Sequence, residues 1–483
     1  MGVLSRIGFY TISKLAVMGA GMISFPILTR VLTPAEYGIM GLILTLLNLT
    51  IGASKLGLQF STVRLWSQWD ATEEGRQRFI LSFFTATLLA SLLVVALYDL
   101  GTAVLRPLIG PELTFYILLA SPLVVIRALG SFGMSLLNAA QRSRTYAIFE
   151  VVGIYVAMAL AVLGATVVIR GLTGYYAGLV LGEGLVIGAL VLYTLRQTRF
   201  RRANLSYGLV REAVLFGIPM AIYENAGVLF FTGDRFIIAW LAGKTKLGYY
   251  TVAFNLSMYV NMLFSMPVMR AVTPAVTELY EKEGPEAATG LLTRAARWYF
   301  LFCFAAVAGI ALVRRDLVGL LASDKFLPGA DMAPILLAGL LFTGGREILG
   351  TGMFLKKRPW RMASLLLGGA ALNAVLNIVL LPILGIEGAA LATLVSQAAM
   401  ALVFWWLGSR LVSVRVDLWA LTRHVLCAGG MAAALYFVNP GQGVVRLLSR
   451  VGLGAAVFSV LVLLLDGEAR DLARRMMDRL RGK

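Results

Sequence analysis

Residues 171–183 read GLTGYYAGLVLGE, and residues 385–397 read GIEGAALATLVSQ. They align without a gap at a spacing of 214 (385 minus 171), and each places Gly-x-x-Gly in a turn that opens an apolar helix. An earlier pair repeats the pattern. PILTRVLTPAEYG (26–38) is echoed by FIIAWLAGKTKLGYY (236–250), with LTPAEYG set against LAGKTKLG, Gly38 against Gly248 and one inserted residue. A weaker match sets Arg142 near Arg358, with Arg127 and Arg346 each some way before those helix ends. Self-similarity at a fixed period is the signature of a duplicated architecture. The period here is 210–216 residues.

The repeat sits in a membrane chain. The 483 residues are 59% hydrophobic and 14% charged, with a mean hydropathy of +0.82, whereas a soluble domain carries about 25% charge. A spanning helix needs about 20 mostly apolar residues. On that measure fourteen spans are expected: 7–29, 37–58, 79–98, 113–137, 145–169, 174–195, 213–241, 248–272, 292–313, 332–355, 361–383, 388–408, 418–437 and 446–465. The first run is too long for a signal peptide, is interrupted by Lys14 and lacks a small-x-small cleavage site.

The net charge of +18 does not point to nucleic acid, because most cations lie in short loops between apolar runs. With the N-terminus inside, the inner loops hold Arg64, Arg76 and Arg78, Arg142 and Arg144, and Arg196, Arg199, Arg201, Arg202 and Arg211. They also hold Lys356, Lys357, Arg358 and Arg361, and the tail adds Arg470, Arg474, Arg475, Arg479, Arg481 and Lys483. The positive-inside rule then puts both termini in the cytoplasm, facing anionic membrane lipids. The longest loops, 196–211 and 273–293, are too short for a catalytic domain.

Six spans per repeat is an even number, so the second copy keeps the orientation of the first. The expected fold is all-α: an N-lobe at 1–195 (spans 1–6), a cytoplasmic linker at 196–212, a C-lobe at 213–410 (spans 7–12), and spans 13 and 14 with a basic cytoplasmic tail at 411–483. Repeats of this kind enclose a substrate path and rock about it in transporters.

One histidine, His424, excludes a multi-histidine metal site, and no cofactor is expected. Cys303 and Cys427 lie far apart in apolar runs and read as packing residues. No Asp-x-Asp pair, large outer loop or nucleophile with a neighbouring base supports an enzyme.

Ionisable residues inside a membrane are costly and face a cavity or a partner. Lys14, Arg127 and Arg346 lie about eight to ten residues from the inner ends of spans 1, 4 and 10, about 12–15 Å deep at 1.5 Å per residue. They form a candidate cationic chamber, and its natural ligand is a diphosphate, which Arg grips as a fork and Lys as a point charge. The competing reading is that each cation pairs with a local carboxylate and fastens helices together, Arg346 with Glu347 among them. Asp234 and Arg235 are adjacent in span 7 and cannot face each other. Arg30, at the outer end of span 1, is a candidate mate for Asp234 in an outer gate, or else a helix-end charge. Glu224 either couples transport to H+ or Na+ or neutralises a chamber arginine. Lys55 and Arg64 are placed to snorkel. Asn373 and Asn377, four apart, suit interhelical hydrogen bonding.

PILTRVLTPAEYGIMGL, KLGLQFSTVR (55–64), GDRF (233–236) and LNAVLNIVLLPILGIEGAALAT (372–393) together resemble the polysaccharide and O-antigen lipid-carrier flippases of the multidrug/oligosaccharidyl-lipid/polysaccharide exporter superfamily. The resemblance runs from residue 5 to 410. It implies a bundle of fourteen helices in the cell's cytoplasmic (inner) membrane. That bundle would move an undecaprenyl-diphosphate-linked oligosaccharide to the outer leaflet by alternating access, for lipopolysaccharide, capsule or exopolysaccharide synthesis. Arg64 matches a family arginine and joins the chamber set, Asp234-Arg235 matches the family's Asp-Arg, and spans 13 and 14 would shape a lipid groove. Association with polymerase machinery would fit. The other readings are a multidrug/cation antiporter of the same superfamily, which calls for an anionic cavity, and a polymerase or ligase.

Overall fold

The computed structural model describes residues 3–196, 198, 204–355, 359–410, 412, 414, 417–437 and 443–480. Among them every regular element is helical. Counting interrupted helices as one, thirteen stretches of the described residues are long and apolar enough to cross a membrane. The remaining expected span, 248–272, lies within a 40-residue helix. The chain is an all-α, multi-pass membrane protein. It packs as two compact units, Met1–Gly248 with Pro359–Ala371, and Tyr249–Arg358 with Leu372–Lys483. Arg199, Arg201 and Arg202 of the expected linker lie outside the described residues, as do Lys356, Lys357, Arg358, Arg481 and Lys483.

The first unit contains α1 (Val3–Val31), α2 (Pro34–Ser54), α3 (Leu58–Trp69), α4 (Glu73–Ile109), α5 (Pro111–Ala120), α6 (Pro122–Ala139), α7 (Ser143–Leu163), α8 (Leu172–Leu195), α9 (Tyr207–Thr232) and α10 (Asp234–Ala242). Both opening motifs have a structural cause. Thr33 and Glu36 form a reciprocal capping box with Pro34 in the first turn, so only Leu32 and Thr33 separate α1 from α2. The Glu36 carboxylate also accepts the Leu172 N–H at 3.3 Å, joining this turn to the start of α8. Gly171 there has φ +90°, a conformation that favours glycine.

The glycines matched across the repeat meet. A Cβ on Gly38 would lie 2.1 Å from the Lys244 carbonyl oxygen, and one on Gly248 would lie 1.8 Å from that of Pro34. Residue 34 is to 38 as 244 is to 248, so the contact is reciprocal, as across a two-fold axis.

Two expected spans are broken. Span 2 is interrupted at Lys55–Gly57, where Leu56 (φ +49°) and Gly57 (φ +73°) are left-handed. The break fits against α9: a Cβ on Gly57 would lie 2.0 Å from the Gly217 carbonyl oxygen. Span 4 breaks between α5 and α6 at Ser121, ahead of Pro122, which cannot donate into the ladder. At one end of the unit Phe79, Phe83 and Phe132 stack, and Trp66 meets Phe79 edge-on, in an aromatic core.

The helices α11 (Lys244–Glu283) and α15 (Pro359–Leu384) run from the first unit into the second or back. The second unit also holds α12 (Pro285–Ala322), α13 (Ala333–Leu349), α14 (Thr351–Leu355), α16 (Ile386–Gly408), α17 (Leu418–Phe437), α18 (Gly443–Leu465) and α19 (Gly467–Leu480). Residues 273–293, expected as a loop, are instead a helical hairpin turning at Gly284 (φ +88°). The apolar run ends before the helix does, because charged residues such as Glu278 and Lys282 pair four apart and sustain it in water.

The second unit repeats the geometry of the first. Gly385 (φ +66°) precedes α16 as Gly171 precedes α8. A Cβ on Gly388 would lie 2.3 Å from the Leu380 carbonyl oxygen, as one on Gly174 would lie 2.1 Å from that of Gly164. The helix α12 packs on α17 and α18 through Leu301, Cys427, Met431 and Phe458. Cys303 and Cys427 are both buried free thiols.

Candidate functional site

Charged side chains inside the first unit converge on one cavity of about 360 Å³ between α1, α6, α7 and α8. Arg127 projects from α6, held by tight packing of Gly130 and Gly133 against Ile187 and Leu190 of α8. Its guanidinium forks onto Glu183 of α8, with Nε and Nη2 donating at 2.8 and 2.7 Å. From α1, Lys14 pairs with Glu150 of α7. Ser13 donates to the same carboxylate at 2.5 Å and Tyr146 at 3.4 Å. Arg127, Tyr146, Glu150 and Glu183 all line the cavity. Two cations of the expected chamber are thus neutralised by partners, and the cavity wall carries both signs.

In the second unit the contact matching Arg127–Glu183 is neutral. Gln397, 214 residues after Glu183, accepts from Thr343 of α13 at 3.1 Å. By contact register Thr343, one turn before Arg346, is the counterpart of Arg127. Arg346 itself is buried, its guanidinium 5.4 Å from the Phe404 ring centroid, while Glu347 is exposed. Arg64 lies over Phe216 of α9 at 4.1 Å.

Glu224 lies at the break in span 2. It accepts from Lys55 Nζ at 2.6 Å and from Gln59 Nε2 at 2.7 Å. Lys55 therefore does not snorkel: it spans the helix break to a carboxylate with its side chain 12% exposed. Glu224 neutralises this lysine rather than an arginine. Asp234 and Arg235, in the first turn of α10, are 5% and 4% exposed, and Arg235 Nη1 donates to Thr45 of α2 at 3.2 Å. Arg30 is exposed at the end of α1, where Nη1 donates to the Pro26 carbonyl at 2.8 Å. Asn373 donates to Ser396 at 3.0 Å and accepts from Asn377 at 3.1 Å, joining α15 to α16 as expected.

One cluster escaped the sequence reading. Arg297 of α12 donates to both oxygens of Asp466, at 2.7 and 2.8 Å, and pairs with Glu468 at 2.5 Å. His424 of α17 meets Asp466 at 3.2 Å. Burial raises the Asp466 carboxyl, but the Arg297 guanidinium, the Ala469 N–H and His424 outweigh it and hold the group at about 2, against an ordinary 3.8. The signal available was position alone: Asp466 directly follows the last apolar run.

Two solved membrane-transporter structures share this fold. The solved structure of the lipid II flippase MurJ in an inward closed conformation aligns with a TM-score of 0.79 at 15% identity, over 97% of this chain and 100% of that one. An inward-facing multidrug resistance MATE transporter aligns at 0.65 and 15% identity, over 84% of this chain and 97% of that one. These identities speak to the fold alone. Residues 3–280 match the family described as "Polysaccharide biosynthesis protein", and the chain belongs to it. Among its relatives is the succinoglycan biosynthesis transport protein ExoT of Rhizobium meliloti, 22% identical over 100% of this chain and 96% of that protein. Another is the probable low-salt glycan biosynthesis flippase Agl15 of Haloferax volcanii, 21% identical over 275 residues. That match covers 56% of each chain.

Proposed function

We propose that the protein is a flippase for a lipid-linked oligosaccharide of cell-surface polysaccharide synthesis. It carries an undecaprenyl-diphosphate-linked chain from the inner to the outer leaflet of the cytoplasmic membrane by alternating access. The observation that carries this reading is the match, along the whole chain, to a transport protein of succinoglycan biosynthesis. The family match and the charges kept at depth support it.

In this reading Lys14, Arg127, Arg64 and Arg346 serve the diphosphate. Glu150 and Glu183 hold Lys14 and Arg127 while the site is empty, and phosphate oxygens compete with those carboxylates when substrate arrives. Arg30 with Asp234 forms the outer gate, with Arg235 bracing α10 against α2. Glu224 couples the break in span 2 to an ion gradient. Spans 13 and 14 shape a groove for the lipid. The two six-helix lobes, 1–195 and 213–410, rock about the linker between them.

Reconstitution in liposomes with a fluorescent polyprenyl-diphosphate oligosaccharide tests this. Wild-type protein should bring inner-leaflet substrate to an external glycosidase, and Arg127→Ala or Arg346→Ala should abolish that. Exposure no faster than in protein-free liposomes, or full activity of both variants, overturns the reading. For the gate, reversing Arg30 and Asp234 together should restore transport lost by reversing either alone.

A further inference from the structure

We propose that α19 is an in-plane amphipathic helix that reads anionic phospholipid charge in the leaflet from which α18 emerges. A single residue, Asp466, separates the two helices. Its N–H closes α18 on Val462 at 2.8 Å, and its carboxylate accepts the Ala469 N–H at 3.2 Å, as an N-cap does. The side chain of Arg470 folds back to donate to the Leu463 and Leu464 carbonyls at 3.0 and 2.7 Å. The corner is fixed to α12 by Arg297, which holds both Asp466 and Glu468. The helix therefore begins where the span ends, with no loop to carry it away.

Its sequence, GEARDLARRMMDRL, fits that position. Beyond Ala469, which packs into the core between α12, α17 and α18, apolar residues recur at 472, 473, 476, 477 and 480, the three- and four-residue spacing of one face, and charges fill the positions between. From 474 to 483 there are Arg474, Arg475, Arg479, Arg481 and Lys483 against Asp478 alone. Glu468, nearer the corner, is already taken by Arg297. A basic helix with one apolar face, starting at the membrane plane, matches an anionic headgroup layer. This inference does not depend on the transported substrate.

The test uses the full chain in nanodiscs of phosphatidylcholine, with or without phosphatidylglycerol. A nitroxide is placed by Met476→Cys in a Cys303→Ala, Cys427→Ala background, and its collisions with oxygen and with a water-soluble nickel chelate are compared. In phosphatidylglycerol discs the label should be shielded from nickel, and in pure phosphatidylcholine it should become accessible. Each arginine near an anionic surface strengthens binding about fivefold. Reversing Arg474 and Arg475 to Glu should therefore cut the docked-to-undocked ratio by about 25-fold or more. Raised salt should weaken docking of the unreversed chain in the same direction, without altering its fold. Equal nickel access in the two bilayers overturns the proposal. So does shielding that survives both the reversals and salt, which would assign the face to a protein contact.

Discussion

Glu183 is the residue on which Arg127 depends, and it shows what an intramembrane charge requires. Removing one side of a buried pair leaves the other charge uncompensated, at about 3–5 kcal/mol when both are fully desolvated. Here the side chains are 25% and 18% exposed, so the cost falls toward the lower end. Glu183→Gln should lower the unfolding temperature in detergent by several degrees. Replacing Arg127 and Glu183 together with Met should recover most of that loss, since no charge is then stranded. A double variant as unstable as the single would argue against the pair. At the helix break the same logic applies to Lys55 and Glu224, which meet across 169 residues of chain. Exchanging the two charges should restore folded yield lost by Lys55→Glu or Glu224→Lys alone. The charged residues themselves were legible in the sequence, because ionisable groups stand out in an apolar run. Their partners were not, since several carboxylates lie at similar depth and helix packing chooses among them.

At the scale of elements, glycines and end clamps do the fixing. The crossing at Gly38 and Gly248 leaves no room for a methyl, with carbonyl oxygens 2.1 and 1.8 Å from the would-be Cβ atoms. Gly38→Ala and Gly248→Ala should each reduce the monodisperse fraction on size exclusion. Gly101, with nothing within 4 Å, should accept alanine unchanged. These glycines were visible as a repeat, because duplication preserved both turn and contact. The interruption of span 4 was not, because hydropathy continues smoothly through Ser121 and registers no backbone break, whereas span 2 breaks at its expected end, where Lys55 and Gly57 already interrupt the apolar run. Along α12 the clamps stand 19 residues apart, Arg297 to Asp466 at one end and Asp316 to Arg446 and Arg450 at the other. That is about 28 Å at 1.5 Å per residue, close to the roughly 30 Å of a bilayer core. Asp466 makes one clamp sensitive to acid. Its folded value is depressed from 3.8 to about 2, so its contribution is complete above pH 3.8 and is lost as pH falls toward 2. Proteolysis of the α18–α19 corner should rise across that window, and Asp466→Asn should show the rise already at neutral pH. An unchanged cleavage profile in the variant would remove Asp466 from this role.

For the whole molecule, the distribution of charge carries an orientation that packing does not. Arg76, in the first turn of α4, and Arg142, just before α7, lie at the same end of the first unit, lining one cavity with Trp66 and Tyr193. That end also carries Arg78, Arg144 and Arg196 by position in the chain. By the positive-inside rule that end is expected on the cytoplasmic side, and an even number of spans would return the C-terminus to the same side. The expected count is fourteen; thirteen stretches of the described residues are long and apolar enough, and the 40-residue helix α11 is where the fourteenth would lie. A reporter fused after Lys483 decides both points together. Green fluorescent protein there should fluoresce and alkaline phosphatase should be inactive, whereas fusions ending at Gly110, in the turn after α4, should give the reverse. If α11 failed to span, every fusion beyond it would invert while those before it kept their sides. The expected result is therefore a phosphatase-silent C-terminus with alternating activity at successive turns, and active phosphatase at residue 483 would refute the even count.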